Sequence, residues 1–468
     1  MIQSKKAIGF FGSLAFLAFG YFYFSAKGVL PFADFALLEW QTKLVEQGIF
    51  YLPYTHQTQD PDFSFFPLPD LFFQLTNGTA QSTFPNFYPL LISPIFRVGE
   101  LSGVVISQII LFFGAICIFH QIRKDAKSTL LLLFGSTLPI YVFLIHETVL
   151  IFSLEILVLF LFHKERPTIA GLISAVIIWI RPEMGLAMVF IPFCFTMSLR
   201  LIRFEISVLF GLVLLSLGNF FITDSLLPLR MAKNSDFQFR PENAYYLIKI
   251  WTEQVPVFLV SIFFLLRSFF NKKTSISLLF LFLITMIMIL LAPNTGGHNT
   301  PRYLYGLVPL YILILSKGEE PKTLVSYQWI FLITLVSLYT VWNLNTQIKE
   351  LKKISKFQSN TLSEIRKLGD SVLLFNNSDF SFVVLPLLHE NKDLLLLRKD
   401  YNPQLLTELL LKENIKSFTF LELPPSPYSL PDNLILSNCP HNCSFRKTKT
   451  LPLPNALLPI TQTQYLRK

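Results

Sequence analysis

Asp34 follows the first apolar run of the chain and precedes a stretch with helical spacing. An aspartate there is an N-cap in one reading, its oxygens taking up free backbone N–H groups. In the other it is a carboxylate kept ionised by the helix dipole, as a general base or metal ligand requires. The two readings are compatible. Arg181-Pro182-Glu183 sits between two apolar blocks. An arginine at the centre of a membrane span costs about 2.5–3.5 kcal/mol on insertion scales. Arg181 therefore either snorkels to the headgroups or holds a lipid-linked phosphate by charge-assisted hydrogen bonds. His146-Glu147 forms a third island, a surface pair or a metal or substrate contact. The fourth runs from Ala292 to Tyr303 and carries His298 and Arg302-Tyr303. A tight turn explains its glycines but not His298 and Arg302 together.

The elements around these islands are apolar. Of 468 residues 52% are hydrophobic and 15% charged, against about 25% charged in soluble domains. Apolar blocks fall near 8–24, 101–120, 129–145, 148–162, 169–180, 184–199, 204–222, 251–269, 275–292, 302–316 and 324–342, the pattern of a polytopic α-helical membrane protein of about eleven spans. The net charge of +9 lies in short loops between blocks, where it sets topology, and this argues against nucleic-acid binding. The basic loops (Lys5, Lys6, Arg123, Lys124, Lys127, Lys164, Arg166, Arg200, Arg203, Arg267, Lys272, Lys273, Lys317, Lys322) belong to the cytoplasm. Loop 25–100, loop 223–250 and segment 343–468 then lie outside, with the N-terminus inside and the first span uncleaved.

The chain divides into a transmembrane domain over 1–342 and a small extracytoplasmic α/β domain over 343–468. Within loop 25–100, Leu37, Leu38, Leu44 and Val45 share a helical face, which reads as an amphipathic helix on the membrane surface. Asn77-Gly78 between two short runs reads as a hairpin. In the C-terminal segment a polar helix is expected over 346–368, strands over 371–375, 393–397 and 417–421, and a helix near 403–413. It has no glycine-rich phosphate loop. Cys117 and Cys194 lie in apolar blocks as packing residues. Cys439 and Cys443 flank His441, and outside the cytoplasm they suit a disulfide better than zinc.

Under this topology all four islands share the outer face. The chemistry that suits them is transfer from a lipid-phosphate donor. A carboxylate activates an acceptor hydroxyl and arginines stabilise the departing phosphate. A lipid-anchored donor needs no soluble nucleotide site.

Over residues 8–316 the chain resembles the GT-C superfamily of polyprenyl-phosphate-sugar glycosyltransferases, which includes protein mannosyltransferases and lipid A aminoarabinose transferases. The resemblance rests on Asp34 after the first span, Leu44-Val45-Glu46-Gln47-Gly48, Asn77-Gly78, and Phe84-Pro85-Asn86-Phe87-Tyr88-Pro89-Leu90-Leu91. It continues in Ala170-Gly171-Leu172 leading to Arg181-Pro182-Glu183, and in Thr300-Pro301-Arg302-Tyr303. It implies that Asp34 is the catalytic carboxylate of an inverting transfer. It also implies a polyprenyl-phosphate-linked sugar donor and a phosphate held by outer-face arginines, with Arg181, Glu183, His298, Arg302, Tyr303, His146 and Glu147 as substrate-binding candidates. The acceptor would be a cell-envelope glycan or lipid such as lipopolysaccharide, at the periplasmic face of a bacterial inner membrane. Family members often carry two adjacent acids where Asp34 is followed by Phe35. That departure leaves a divalent metal open, with Glu39, Asp60 and Asp62 as candidate ligands. The alternatives are an O-antigen-type polymerase or ligase, and a transporter, for which Glu155 is the clearest acid inside a block and no internal repeat is seen.

Overall fold

The computed structural model describes residues 20–21, 24–25, 27–191, 199–233, 241–270, 276–292, 302–315, 325–390, 392–423, 429–436, 444–454 and 459–468. Most of block 8–24, together with His298, Cys194, Cys439, His441 and Cys443, lies outside the described residues. The chain forms two units, Met1–Lys27 with Val98–Glu350, and Gly28–Arg97 with Leu351–Lys468.

In chain order the α-helices are α1 (Asp34–Glu46), α2 (Phe87–Arg123), α3 (Ala126–Phe134), α4 (Thr148–His163), α5 (Pro167–Ile180), α6 (Gly185–Phe190), α7 (Leu199–Thr223), α8 (Leu229–Lys233), α9 (Pro241–Gln254), α10 (Pro256–Phe270), α11 (Ile276–Leu291), α12 (Val308–Leu315), α13 (Val325–Arg366), α14 (Ser378–Val384) and α15 (Pro403–Lys412). The strands are β1 (Phe73–Thr76), β2 (Thr79–Ser82), β3 (Val372–Phe375), β4 (Asp393–Leu396), β5 (Ser417–Glu422), β6 (Asn433–Ile435), β7 (Ser444–Pro452) and β8 (Thr461–Arg467).

The first unit is a helical bundle. Among the described residues α2 and α7 are long and apolar enough to cross a membrane, and α9 with α10 makes a third if a pair bent by 97° counts as one span. Shorter apolar helices occupy blocks 148–162, 169–180, 275–292 and 302–316. Block 129–145 is not one span. After α3 the chain breaks at Gly135 and turns through a 3-10 segment, Leu138–Phe143. Irregular backbone at membrane depth is tolerated only where the protein itself satisfies it. Here Thr137 N–H donates to the Gln254 carbonyl at 2.9 Å, and Gln108 Nε2 donates to the Leu144 carbonyl at 2.7 Å. Block 251–269 starts inside α9 and breaks at Val255-Pro256, where proline removes a helical donor.

Helices α5 and α7 approach closely through small residues. A Cβ added at Gly171 would lie 2.5 Å from the Phe204 carbonyl oxygen, and one at Gly211 would lie 2.6 Å from Ala175 Cβ. Glycine is required at both places, as in other close helix pairs of membrane proteins. The contact fixes the rod at whose C-terminal end Arg181 stands.

The second unit joins residues distant in sequence. Its six-stranded sheet has the order β4-β3-β5-β8-β7-β6. β3 pairs in parallel with β4 and β5, and the other pairings are antiparallel. The expected strands and the helix near 403–413 are present. β6 to β8 are additional, because runs such as Ser-Phe-Arg-Lys-Thr-Lys-Thr carry little apolar alternation. Asp370, mostly buried, accepts hydrogen bonds from Ser417, Thr419 and Gln464 and so ties β3 to β5 and β8. The hairpin stands as expected, with Asn77 at φ 52° and Gly78 at φ 72° making the turn.

Helix α1 is less exposed than an amphipathic surface helix. Phe35, Ala36, Leu37, Leu38, Trp40, Gln41, Thr42, Leu44 and Val45 are all buried, because α14 and the 3-10 turn Leu385–Glu390 pack on it. Asp34 is its first helical residue and not its N-cap. Ala33 holds that position at φ 47° and supplies no side-chain cap. Loop 60–70 is fastened to β4. Leu396 N–H donates to the Phe65 carbonyl at 3.0 Å, covering an edge strand. Arg398 donates to the carbonyls of Phe63 (3.2 Å), Ser64, Phe66 (3.4 Å) and Leu68 (3.0 Å) and to Asp70 Oδ1 (3.1 Å).

Lysine lacks the planar fork that serves so many acceptors at once. Arg398→Ala and Arg398→Lys are therefore both expected to loosen loop 60–70, Arg398→Ala by about 1–3 kcal/mol. Limited proteolysis within 60–70 and the thermal midpoint measure this, and Lys at wild-type resistance would contradict the fork argument.

Candidate functional site

Three of the four islands meet in the first unit. Glu147 precedes α4, Arg181 ends α5, and Glu183 lies in the 3-10 turn Pro182–Met184. Arg181 is buried and carries two carboxylates on one guanidinium. Nη2 lies 2.8 Å from Glu147 Oε1, and Nη1 donates to Glu183 Oε1 at 2.9 Å. Arg230 Nη1 stands 3.7 Å from the same Glu147 oxygen. Glu147 and Arg181 are only 3% and 4% exposed, so neither charge is shared with bulk water, whereas Glu183 is 23% exposed.

His146 sits inside the cluster. Its Nε2 lies 2.9 Å from Arg181 Nη2, 3.5 Å from Arg302 Nη1 and 3.5 Å from Glu147 Oε2. A guanidinium can only donate, so Nε2 accepts. Nδ1 lies 2.6 Å from Thr148 Oγ1 and 3.2 Å from the Thr148 backbone nitrogen, whose N–H points to it. The Arg302 guanidinium carbon lies 5.6 Å from the centroid of the Tyr303 ring, within cation–π reach.

Burial pushes the Glu147 carboxyl up, but Arg181 and Arg230 outweigh it and hold the group below the usual carboxylate range. Glu183 is likewise raised by burial and brought below that range by Arg230 and Arg181. Both are therefore ionised at neutral pH. Three guanidiniums face two carboxylates, which leaves the cluster cationic with His146 neutral. It opens on a small pocket lined by Thr148, Ile151 and Phe152 of α4, Arg181, Glu183 and Met184, and Arg302, Tyr305 and Gly306. Behind the pocket the Tyr305 hydroxyl pairs with Thr137 Oγ1 at 2.9 Å and donates to Gln254 Oε1 at 3.3 Å. The broken segment after α3 and the bend between α9 and α10 thus position a pocket wall.

Arg230 and Tyr305 were not legible as site residues. Arg230 had one signal, an arginine in loop 223–250, which the sequence reading places on the side where charge bias disfavours it. Tyr305 had none.

Asp34 belongs to the second unit. It begins α1 directly after Ala33, whose positive φ is unfavourable for a residue with a Cβ. Glu39 pairs with Lys43 at 2.9 Å. Asp60 is buried and accepts from the Tyr54 hydroxyl (2.8 Å), Ser64 N–H (2.9 Å) and Phe65 N–H (2.9 Å), which shapes the start of the Arg398-held loop. Asp62 is exposed. Among the described residues no three His, Cys, Asp or Glu side chains are grouped to hold a metal ion.

Removing one member of a buried ion pair costs about 3–5 kcal/mol, whereas an exposed pair contributes at most about 1 kcal/mol. Glu147→Gln is expected to lower the thermal midpoint strongly, and Glu165→Gln, which breaks the exposed pair with Arg200, to leave it nearly unchanged. The depressed carboxyls contribute stability above the unfolded-state carboxylate pKa, lost as pH falls through the folded-state value. The midpoint difference between Glu147→Gln and wild type should accordingly hold from pH 8 to 5 and shrink in acid.

No family model and no curated protein matches the chain. Among solved structures it is similar to the crystal structure of ArnT from Cupriavidus metallidurans bound to undecaprenyl phosphate, with a TM-score of 0.57, 10% identity and 98% of each chain covered. At that identity the likeness is one of fold, and it extends through both units: the chain has a GT-C-like fold.

Proposed function

We propose that this protein is an integral membrane glycosyltransferase that moves a sugar from a polyprenyl-phosphate donor to a cell-envelope glycan or lipid at the outer face of a bacterial inner membrane. The observation that carries the proposal is the cationic cluster at the ends of α4 and α5, open to a pocket. The GT-C-like fold supports it, since ArnT in that fold was crystallised with undecaprenyl phosphate.

The arginines divide the work. Arg181 is committed to Glu147 and Glu183, so it organises the site. Arg302, on the pocket wall, and Arg230 supply the charge that receives phosphate. Glu183, His146, Glu147 and Tyr303 orient these guanidiniums. The acceptor hydroxyl oxygen attacks the anomeric carbon while the bond from that carbon to the phosphate oxygen breaks. Asp34 takes the hydroxyl proton. One displacement inverts the anomeric configuration. The leaving polyprenyl phosphate gains a negative charge, which the arginines stabilise. The backbone strain at Ala33, immediately before Asp34, supports placing chemistry there, because such strain gathers at functional sites.

Asp34→Asn is expected to lower transfer by about 10²–10⁴-fold with unchanged insertion and thermal midpoint. Normal glycan from that variant, read by mass analysis of lipid-linked and acceptor glycans, would remove Asp34 from the mechanism. Arg302→Ala is expected to weaken undecaprenyl phosphate binding by about 10–100-fold while the protein stays folded. Unchanged affinity would overturn the phosphate site.

A further inference from the structure

Helix α4 buries a second carboxyl that the mechanism above does not use. Glu155 is fully enclosed, and neither carboxyl oxygen has a hydrogen-bond partner among the described residues. It follows Thr148 by seven residues, Phe152 by three and Ile151 by four, so it shares the helix face that lines the pocket. Helical side chains tilt toward the helix N-terminus, which for Glu155 is toward that pocket. A Cβ placed on Gly306, another lining residue, would stand 3.4 Å from Glu155 Oε2. Arg181 and Arg302 line this pocket, and the Glu155 carboxyl lies beside its Gly306.

A buried polar group without a partner is costly enough that native proteins seldom keep one. A carboxylate oxygen is completed by a hydrogen-bond donor, and the rest of the pocket lining is largely apolar and aromatic, with Ile151, Phe152, Met184 and Tyr305. A polyprenyl tail has no donor to offer, whereas a sugar offers hydroxyl or amino groups at its edge and apolar faces for such walls. Seven residues of helix rise about 10 Å, and the backward tilt of the side chain shortens that to the scale of one glycosyl phosphate.

We propose that Glu155 binds a hydroxyl or amino group of the donor's glycosyl unit and so helps to determine which sugar is accepted. This rests on the phosphate reading of the arginine cluster. It gives this acid inside an apolar block a role in recognition instead of transport.

The test uses the full chain in lipid nanodiscs and three probes: undecaprenyl phosphate, its glucosyl derivative and its 4-aminoarabinosyl derivative. Glu155→Leu is expected to bind undecaprenyl phosphate within about twofold of wild type and to weaken at least one glycosylated probe about tenfold, the loss of one good hydrogen bond. Glu155→Met, with a flexible apolar side chain of similar length, replaces it should the leucine protein not fold. Equal losses for all three probes, or none for either glycosylated probe, would overturn the proposal. Arg302→Ala separates the two ideas. Undiminished undecaprenyl phosphate binding there defeats the phosphate site, whereas a normal loss there with no sugar-dependent loss at Glu155 defeats only the role of Glu155.

Discussion

A guanidinium buried at the end of a membrane helix has to be neutralised by the protein, because the alternative is a desolvated charge. Arg181 meets that condition with two carboxylates, and the architecture around it follows from where those carboxylates must stand. Glu147 has to sit at the start of α4 and Glu183 in the turn after α5. The small-residue contact of α5 with α7 fixes the height of Arg181. The break after α3 brings His146 in from a segment that a continuous span would have carried past. A cluster so connected has few alternative arrangements, which is what a binding site built from flexible side chains needs.

The second unit solves a comparable problem with backbone. Loop 60–70 has little regular secondary structure, and its buried carbonyls need donors. Arg398 supplies most of them from the far end of the sequence, and Asp60 closes the other side by accepting N–H groups from within the loop. Helix α14 and the 3-10 turn Leu385–Glu390 of the C-terminal segment pack on α1, and with it hold Asp34. The end of α13 contributes as well, where Ser355 Oγ accepts from Leu30 N–H at 2.9 Å just ahead of Asp34.

The sequence showed the helical class, the hairpin at Asn77-Gly78 and three of the strands because each has a local signal: apolar length, turn chemistry, or β-branched and aromatic runs. The pairing of His146-Glu147 with Arg181-Pro182-Glu183 and Arg302 was legible only as a shared side of the membrane, since charge bias reports sidedness and not distance. What stayed hidden is what depends on long-range contact. Asp60 looks like a spare acid until the N–H groups it accepts are seen. α1 looks amphipathic because Glu39, Lys43 and Glu46 interrupt it, yet packing on the C-terminal segment covers most of its circumference. Block 129–145 has the composition of a span, and only the donors and acceptors offered by Gln108 and Gln254 make its break affordable.

The excess of guanidinium over carboxylate charge in the cluster also bears on why a phosphate leaving group suits it. A site of fully paired charges would be stable but indifferent to an anion. Unpaired buried guanidiniums would bind anions tightly but would not survive their own desolvation. Three guanidiniums against two carboxylates lie between these limits. The carboxylates hold the empty site together, and the remaining positive charge favours whichever bound state carries more negative charge on the ligand. In transfer from a polyprenyl-phosphate sugar that state lies on the product side of the bond being broken, so the excess charge favours departure of the phosphate more than binding of the donor.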